Sequence, residues 1–362
     1  MGCANYHARI HFDDGSVWLL RVPRMNGSLP QSLIDYLVKS EYATLQFLGV
    51  TKVPAPRVFD YGIAGEEGNE VGVSYILMEQ MPGNPWNGQG PRGKRFADEQ
   101  DKERVWSGLA DILIELRRHP FSRAGSLLPG LGPAREKPLI SATASERFLV
   151  PSSSGPFDTA GEYLTAFAEQ NMALIADEQL FTVFPVNAYL VFSFLKDKIP
   201  LLLTAGNPLG DAFYLKHVDD KGDHLMVDDD LNITGLIDWQ MARIVPAIET
   251  FGPSLVTADM SAIYSGDSCV TTYDRSLAHY LREKGARDLA GLMSGDERLR
   301  RFFFGLDVDF PWDEALALVR GIWAAFEGEG YLDWGVWKMV LLWERGHDGR
   351  LQQIIDRWGM GP

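Results

Sequence analysis

Two charges sit where the hydrophobic pattern of this chain leaves no room for charge, and they constrain its folding more than any other feature. VWLLRV reads as a strand, and strand side chains alternate faces with a period of two. Val17, Leu19 and Arg21 therefore share one face. SLPQSLIDYLVKSEYATLQFL reads as a helix opened by Pro30, with Ile34, Leu37, Val38, Leu45 and Leu48 at helical spacing. Glu41 falls four residues after Leu37 and four before Leu45, on the apolar stripe itself. A buried charge without a partner is costly. An arginine and a glutamate so placed satisfy one another if the strand packs on the helix. Two readings stay open for such a couple: an ion pair that only holds the fold, or one that also holds a ligand.

The segments around these two follow a simple order. HARIHF, the turn DDGS and VWLLRV form a hairpin, with Ala8, Ile10 and Phe12 alternating with polar residues. PRVFDYG and GVSYILME read as two further strands. MPGNPWNGQGPRG, with Pro82, Gly83 and Pro85 close together, breaks regular structure. Its GQGPRG matches a glycine-rich phosphate pattern, but it follows no strand and Pro91 removes a donor, so a plain loop is expected. Beyond it Val105, Leu109, Ile112 and Leu116 mark a helix, and helical patterns dominate to the C-terminus. LISATASERFLVPSSSGPF reads as a surface connection. The expected class is α+β in two lobes: a small antiparallel-sheet lobe with one helix over residues 1–80, a hinge and linker over 81–93, and a mainly helical lobe over 94–362.

HVDDKGDHLMVDDDLNITGLIDWQ, residues 217–240, carries seven aspartates and two histidines. It reads as a hairpin, with Leu225 to Val227 and Ile233 to Ile237 as strands. Asp228, Asp229 and Asp230 then fall in the turn, where aspartate is favoured by its own backbone hydrogen bonding and needs no further role. Asp219 precedes the first strand and Asp238 ends the second. A hairpin brings such positions back together, so these two carboxylates are expected to face one cleft. One carboxylate can orient a hydroxyl while the other holds magnesium, which prefers oxygen ligands.

Charge and composition exclude other classes. A formal net charge of −15 argues against a broad nucleic-acid surface. Two cysteines, Cys3 and Cys269, make no disulfide framework and point to a reducing, cytoplasmic setting. The apolar run near NAYLVFSFL is too short to span a bilayer, so no membrane partner is expected. There is no G-x-S-x-G elbow of a serine hydrolase.

The strip resembles the catalytic segment of the aminoglycoside phosphotransferase family, which includes choline-kinase-like small-molecule kinases and has a protein-kinase-like fold. The family pattern is His-x-Asp, four residues, Asn, then a hydrophobic hairpin ending in Ile-Asp-Trp. His217 and Asp219 match the first pair, and ITGLIDW matches the hairpin. The wording is similar to a branch common in filamentous fungi. NYHARIHFDDGSVWLLRVPR resembles the family's first hairpin, with Arg21 in place of its phosphate-binding lysine, and SEYATLQFL its first helix, with Glu41 as the acidic partner. VSYILMEQMPG resembles the hinge along adenine.

The resemblance implies a cytoplasmic, ATP- and Mg2+-dependent phosphotransferase acting on a hydroxyl of a small molecule. It implies Asp219 as the catalytic base, braced by His217, and Asp238 as the metal ligand. Arg21 and Glu41 would serve the phosphates, and Glu79 and Met81 the base. Gly2 and Asn5 would be what remains of a glycine-rich loop. His224 stands where the family has Asn; an imidazole there either ligates the metal or merely fills the place. That substitution and the short N-terminus also fit an alternative, a nucleotide-binding or scaffolding pseudokinase.

Overall fold

The computed structural model describes residues 5–24, 30–91, 96–130, 137–143, 155–204, 206–219, 222–267, 269–306, 310–328 and 330–361. They form two compact units, one of residues 1–158, 212–246 and 279–287, the other of residues 159–211, 247–278 and 288–362.

The first unit opens with β1 (Asn5–His11), β2 (Val17–Pro23), α1 (Gln31–Leu48), β3 (Val58–Gly62) and β4 (Tyr75–Glu79). The four strands form one antiparallel sheet in the order β1-β2-β4-β3. The hairpin β1–β2 pairs His7 with Arg21 and Ile10 with Trp18. The alternation read in β1 does not become a buried face: Tyr6, Ile10 and Phe12 stay exposed. The strand lies at the sheet edge, where only one side has a neighbour. Helix α1 starts after Pro30, and Ile34, Leu37, Val38, Leu45 and Leu48 are buried as their spacing requires. Each such aliphatic side chain contributes roughly 1.5–3 kcal/mol by leaving water.

The linker after β4 is more regular than its prolines and glycines suggest. Residues Asn84–Pro85 form a short strand, β5, which pairs with β9 (Leu225–Val227). Helix α2 (Glu99–Arg117) follows, closed at its start by reciprocal bonds between Asp98 and Asp101. Short strands β6 (Ser126–Leu128) and β7 (Leu139–Ser141) pair with each other, so the expected surface connection begins as a strand. Later in the chain come β8 (Phe213–Lys216), β9, β10 (Ile233–Leu236) and β11 (Arg243–Pro246). Strands β9 and β10 make the acidic hairpin, with a register shift between Ile233 and Gly235; β8 and β11 pair around it in sequence.

The second unit is helical. It contains α3 (Ala160–Ala176), α4 (Pro185–Asp197), α5 (Ile199–Thr204), α6 (Ala247–Phe251) and α7 (Met260–Ser265). After α8 (Thr272–Glu283), whose last residues join the first unit, come α9 (Arg287–Met293), α10 (Arg298–Phe304), α11 (Trp312–Glu327), α12 (Trp334–Glu344) and α13 (Gly349–Trp358). Phe167 of α3 packs against Phe302 and Phe303 of α10. Arg300 is buried beside them and pairs with the fully buried Asp274 at 2.6 Å. Asp274 also accepts from Thr257 and the Thr271 N–H, so this buried charge is hydrogen-bonded as well as paired. No helix among the described residues is long and apolar enough to cross a membrane.

Candidate active site

The two misplaced charges meet. Arg21 reaches Glu41 through Nη1, and both side chains are almost wholly buried. The pairing follows from the fold: β2 supplies the arginine on its inner face, and the middle of α1 supplies the acid. Nη2 of the same guanidinium donates to Asp238 Oδ1 at 2.6 Å and to Gln240 Oε1 at 2.8 Å. The Asn5 amide oxygen accepts from Nη2 at 2.7 Å and from Nε at 3.1 Å. Four side chains from β1, α1 and the segment after β10 thus hold one cation.

The acidic hairpin divides its aspartates as their positions suggest. Asp228 accepts from the Asp230 and Asn232 N–H groups, both at 2.9 Å, and from the Asn232 side chain. It closes an exposed turn. Asp238 differs: its φ is +64°, left-handed backbone that a non-glycine residue adopts at a cost of about 1–3 kcal/mol. The surroundings hold it there. Trp239 is fully buried, and its indole donates to the Leu236 carbonyl at 2.7 Å. The His217 ring packs edge-on to Trp239 at 4.8 Å, and its Nε2–H donates to the Ile237 carbonyl at 2.7 Å. His217 therefore braces the turn into Asp238.

His224 connects the two aspartates of interest. Its Nδ1 lies 2.9 Å from the Asp219 backbone oxygen and 3.9 Å from Asp219 Oδ2. Its Nε2 lies 3.5 Å from Asp238 Oδ2. Glu41, Arg21, Asp238, His224 and Asp219 form one unbroken chain of contacts within the first unit.

The electrostatics follow burial and contact. Burial pushes the Glu41 carboxyl up from 4.5 to about 7, against the pull of Arg21 and with repulsion from Asp238 added. Arg21 is held above its ordinary value: burial disfavours its charge, but Glu41 and Asp238 outweigh that. Burial would also raise Asp238, yet Arg21, then His224, hold it below the usual carboxylate value. His7, across the sheet from Arg21, is lowered by burial and by that arginine.

The Phosphotransferase enzyme family matches this chain over residues 5–289. The chain belongs to that family. The similar solved structures share its fold at low identity. A protein from Thermobifida fusca described as a candidate fructosamine-3-kinase is 16% identical, with 90% of this chain and 91% of that one covered and a TM-score of 0.50. A thermostable mutant of aminoglycoside phosphotransferase APH(4)-Ia, in ternary complex with AMP-PNP and hygromycin B, is 15% identical over 92% and 93%, with a TM-score of 0.48. Macrolide 2'-phosphotransferase MphH from Brachybacterium faecium is 15% identical over 92% and 91%, with a TM-score of 0.42. No curated protein matches. The fold is the expected α+β, protein-kinase-like one.

In this phosphotransferase the structure brings together Arg21, Glu41, Asn5, His217, Asp219, His224 and Asp238. Glu79 lies elsewhere in the same sheet: its N–H donates to the Arg57 carbonyl at 2.8 Å, and its carboxylate accepts from the Arg57 N–H. Met81 packs against Gly235 of the acidic hairpin, so closely that a Cβ there would meet it at 2.8 Å. Gly2 lies outside the described residues, as do the last two residues, 92 and 93, of the glycine-rich match. Gln240 escaped sequence reasoning; its signal was its place directly after Ile237-Asp238-Trp239.

The donor set suits a divalent ion bound in part by this phosphotransferase and in part by a ligand. No group of three or more His, Cys, Asp or Glu among the described residues could hold a metal by itself. A phosphate-bridging magnesium needs only one or two carboxylates, with phosphate and water completing its shell. Asp238, whose side chain is 38% exposed, offers such a carboxylate.

Proposed function

We propose that this phosphotransferase moves the terminal phosphate of ATP to a hydroxyl group of a small molecule. The observation that carries the reading is the contact chain from Glu41 through Arg21, Asp238 and His224 to Asp219. It supplies, within one unit, the cation, the metal-type carboxylate and the second carboxylate that phosphoryl transfer requires.

In this reading residues 1–80 form the nucleotide lobe, 81–93 the hinge and linker, and 94–362 the helical lobe. The segment Glu79 to Met81 lines the adenine. Arg21 donates to phosphate oxygens while Glu41 keeps the guanidinium in place from the opposite side. Asn5 and Gln240 limit its rotation. Asp238 would hold the divalent ion, which supplies charge neutralisation at the phosphates when bound. Asp219 accepts the proton of the acceptor hydroxyl as its oxygen attacks the γ-phosphorus. The bond to the bridging oxygen breaks and ADP leaves with that electron pair. Rate comes from positioning and electrostatic stabilisation rather than from covalent chemistry by the protein.

Replacing Asp219 by Asn removes the proton acceptor and little volume. Transfer should fall by about 10²–10⁴-fold while nucleotide affinity stays within a few-fold. Product formation and ATP binding measured on the same preparation decide it; wild-type turnover in the Asn variant would refute the role of Asp219.

A further inference from the structure

A neutral imidazole carries hydrogen on one nitrogen and a lone pair on the other. For His224 the geometry selects which. Nδ1 lies 2.9 Å from the Asp219 backbone oxygen, and a carbonyl oxygen can only accept. A hydrogen is therefore on Nδ1, which leaves Nε2 as the nitrogen able to ligate a metal. Nε2 faces Asp238 Oδ2 at 3.5 Å. Asp238 Oδ1 is already engaged by Arg21 at 2.6 Å, so Oδ2 is the oxygen turned towards the ring. Positive charge between the two atoms, a proton or a metal ion, favours this arrangement.

The spacing fits a metal. Metal–nitrogen and metal–oxygen bonds of about 2.0–2.2 Å put neighbouring donor atoms roughly 3.0–3.6 Å apart. The orientation fits as well: metal-bound imidazoles commonly donate their other N–H to a backbone carbonyl, which fixes the tautomer and raises the basicity of the ligating nitrogen. The ring is also held by its own backbone, since the His224 carbonyl accepts from the Ile237 N–H at 3.0 Å, one residue before Asp238. Side chain and main chain thus tie His224 to both aspartates.

We propose that His224 Nε2 and Asp238 Oδ2 form a mixed nitrogen–oxygen site that selects a first-row transition ion, Mn2+ and its heavier neighbours, over magnesium. Magnesium favours an all-oxygen shell, whereas transition ions accept imidazole readily. The inference rests on the ATP-dependent reading above, because phosphate oxygens and water complete the shell.

The test is pulsed electron paramagnetic resonance on the full chain with Mn2+ and the β,γ-methylene analogue of ATP. The analogue has no nitrogen in its phosphate chain, and protein labelled with 15N-histidine assigns any coupling to an imidazole. The wild-type protein should show directly coupled imidazole nitrogen, which changes on 15N labelling and disappears in His224→Asn. Magnesium competition against bound Mn2+ in the same complex should show a preference for Mn2+ that drops by about tenfold in His224→Asn. A protein-bound Mn2+–nucleotide complex without imidazole coupling overturns the mixed site and leaves the phosphotransfer reading standing. Failure of any Mn2+–nucleotide complex to form on the protein overturns both.

Discussion

Arg21 shows how a single side chain can define a site. Its charge sits almost wholly buried, held by Glu41, Asp238, Gln240 and Asn5. Removing one partner of a buried pair leaves the other uncompensated, at a cost of about 3–5 kcal/mol. Arg21→Met alone should therefore lower the denaturant midpoint sharply. The double change Arg21→Met, Glu41→Leu should restore the part of that stability lost by leaving Glu41 uncompensated, while nucleotide affinity stays lost. Recovery of stability with nucleotide binding intact would make the pair purely structural. Glu41 also gives the molecule a pH signature. Its carboxyl titrates near 7 when folded and at 4.5 when exposed, so the folded chain keeps a proton that the unfolded chain loses. This group's contribution is fully present below about 4.5 and is lost as pH rises towards 7. Thermal midpoints between pH 5 and 8 should fall with pH more steeply in the wild type than in Glu41→Gln. Arg21 and Glu41 were legible in the sequence because each violated an apolar period. Gln240 was not, because its partner lies on another strand and a polar residue after a hairpin violates nothing.

The elements that carry these side chains were legible where they are long or strongly patterned. The hairpin β1–β2, helix α1 and the hairpin β9–β10 each announce themselves by period and turn chemistry. The two-residue β5 does not, since its ordering comes from pairing with β9 across more than a hundred residues of chain. That pairing draws the linker after β4 onto the acidic hairpin. Thr234 donates to the Pro82 carbonyl at 2.7 Å, and Gly83, at φ +96°, leaves no space for a side chain: a Cβ would meet Thr234 Oγ1 and the Val227 oxygen at 2.6 Å. Gly83→Ala combines that clash with a strained backbone, and a loss of about 1–3 kcal/mol is expected in urea unfolding. An unchanged midpoint would mean that the linker is not tied to the hairpin as described.

For the whole molecule, the two compact units do not follow the order of the chain. The first gathers residues 1–158, 212–246 and 279–287, so the hairpin with Asp238 belongs to the same unit as Arg21 although more than two hundred residues separate them. Sequence patterns specify elements, while that gathering comes from long-range burial, which local patterns do not display; family resemblance supplied it instead. The central claim is that this gathered set of side chains holds a nucleotide's phosphates. A crystal structure of the full chain with the β,γ-methylene analogue of ATP tests it most directly. The account predicts the triphosphate beside Arg21 and Asp238, with the Asp219 carboxylate facing the terminal phosphorus. A nucleotide bound away from these three residues would contradict it.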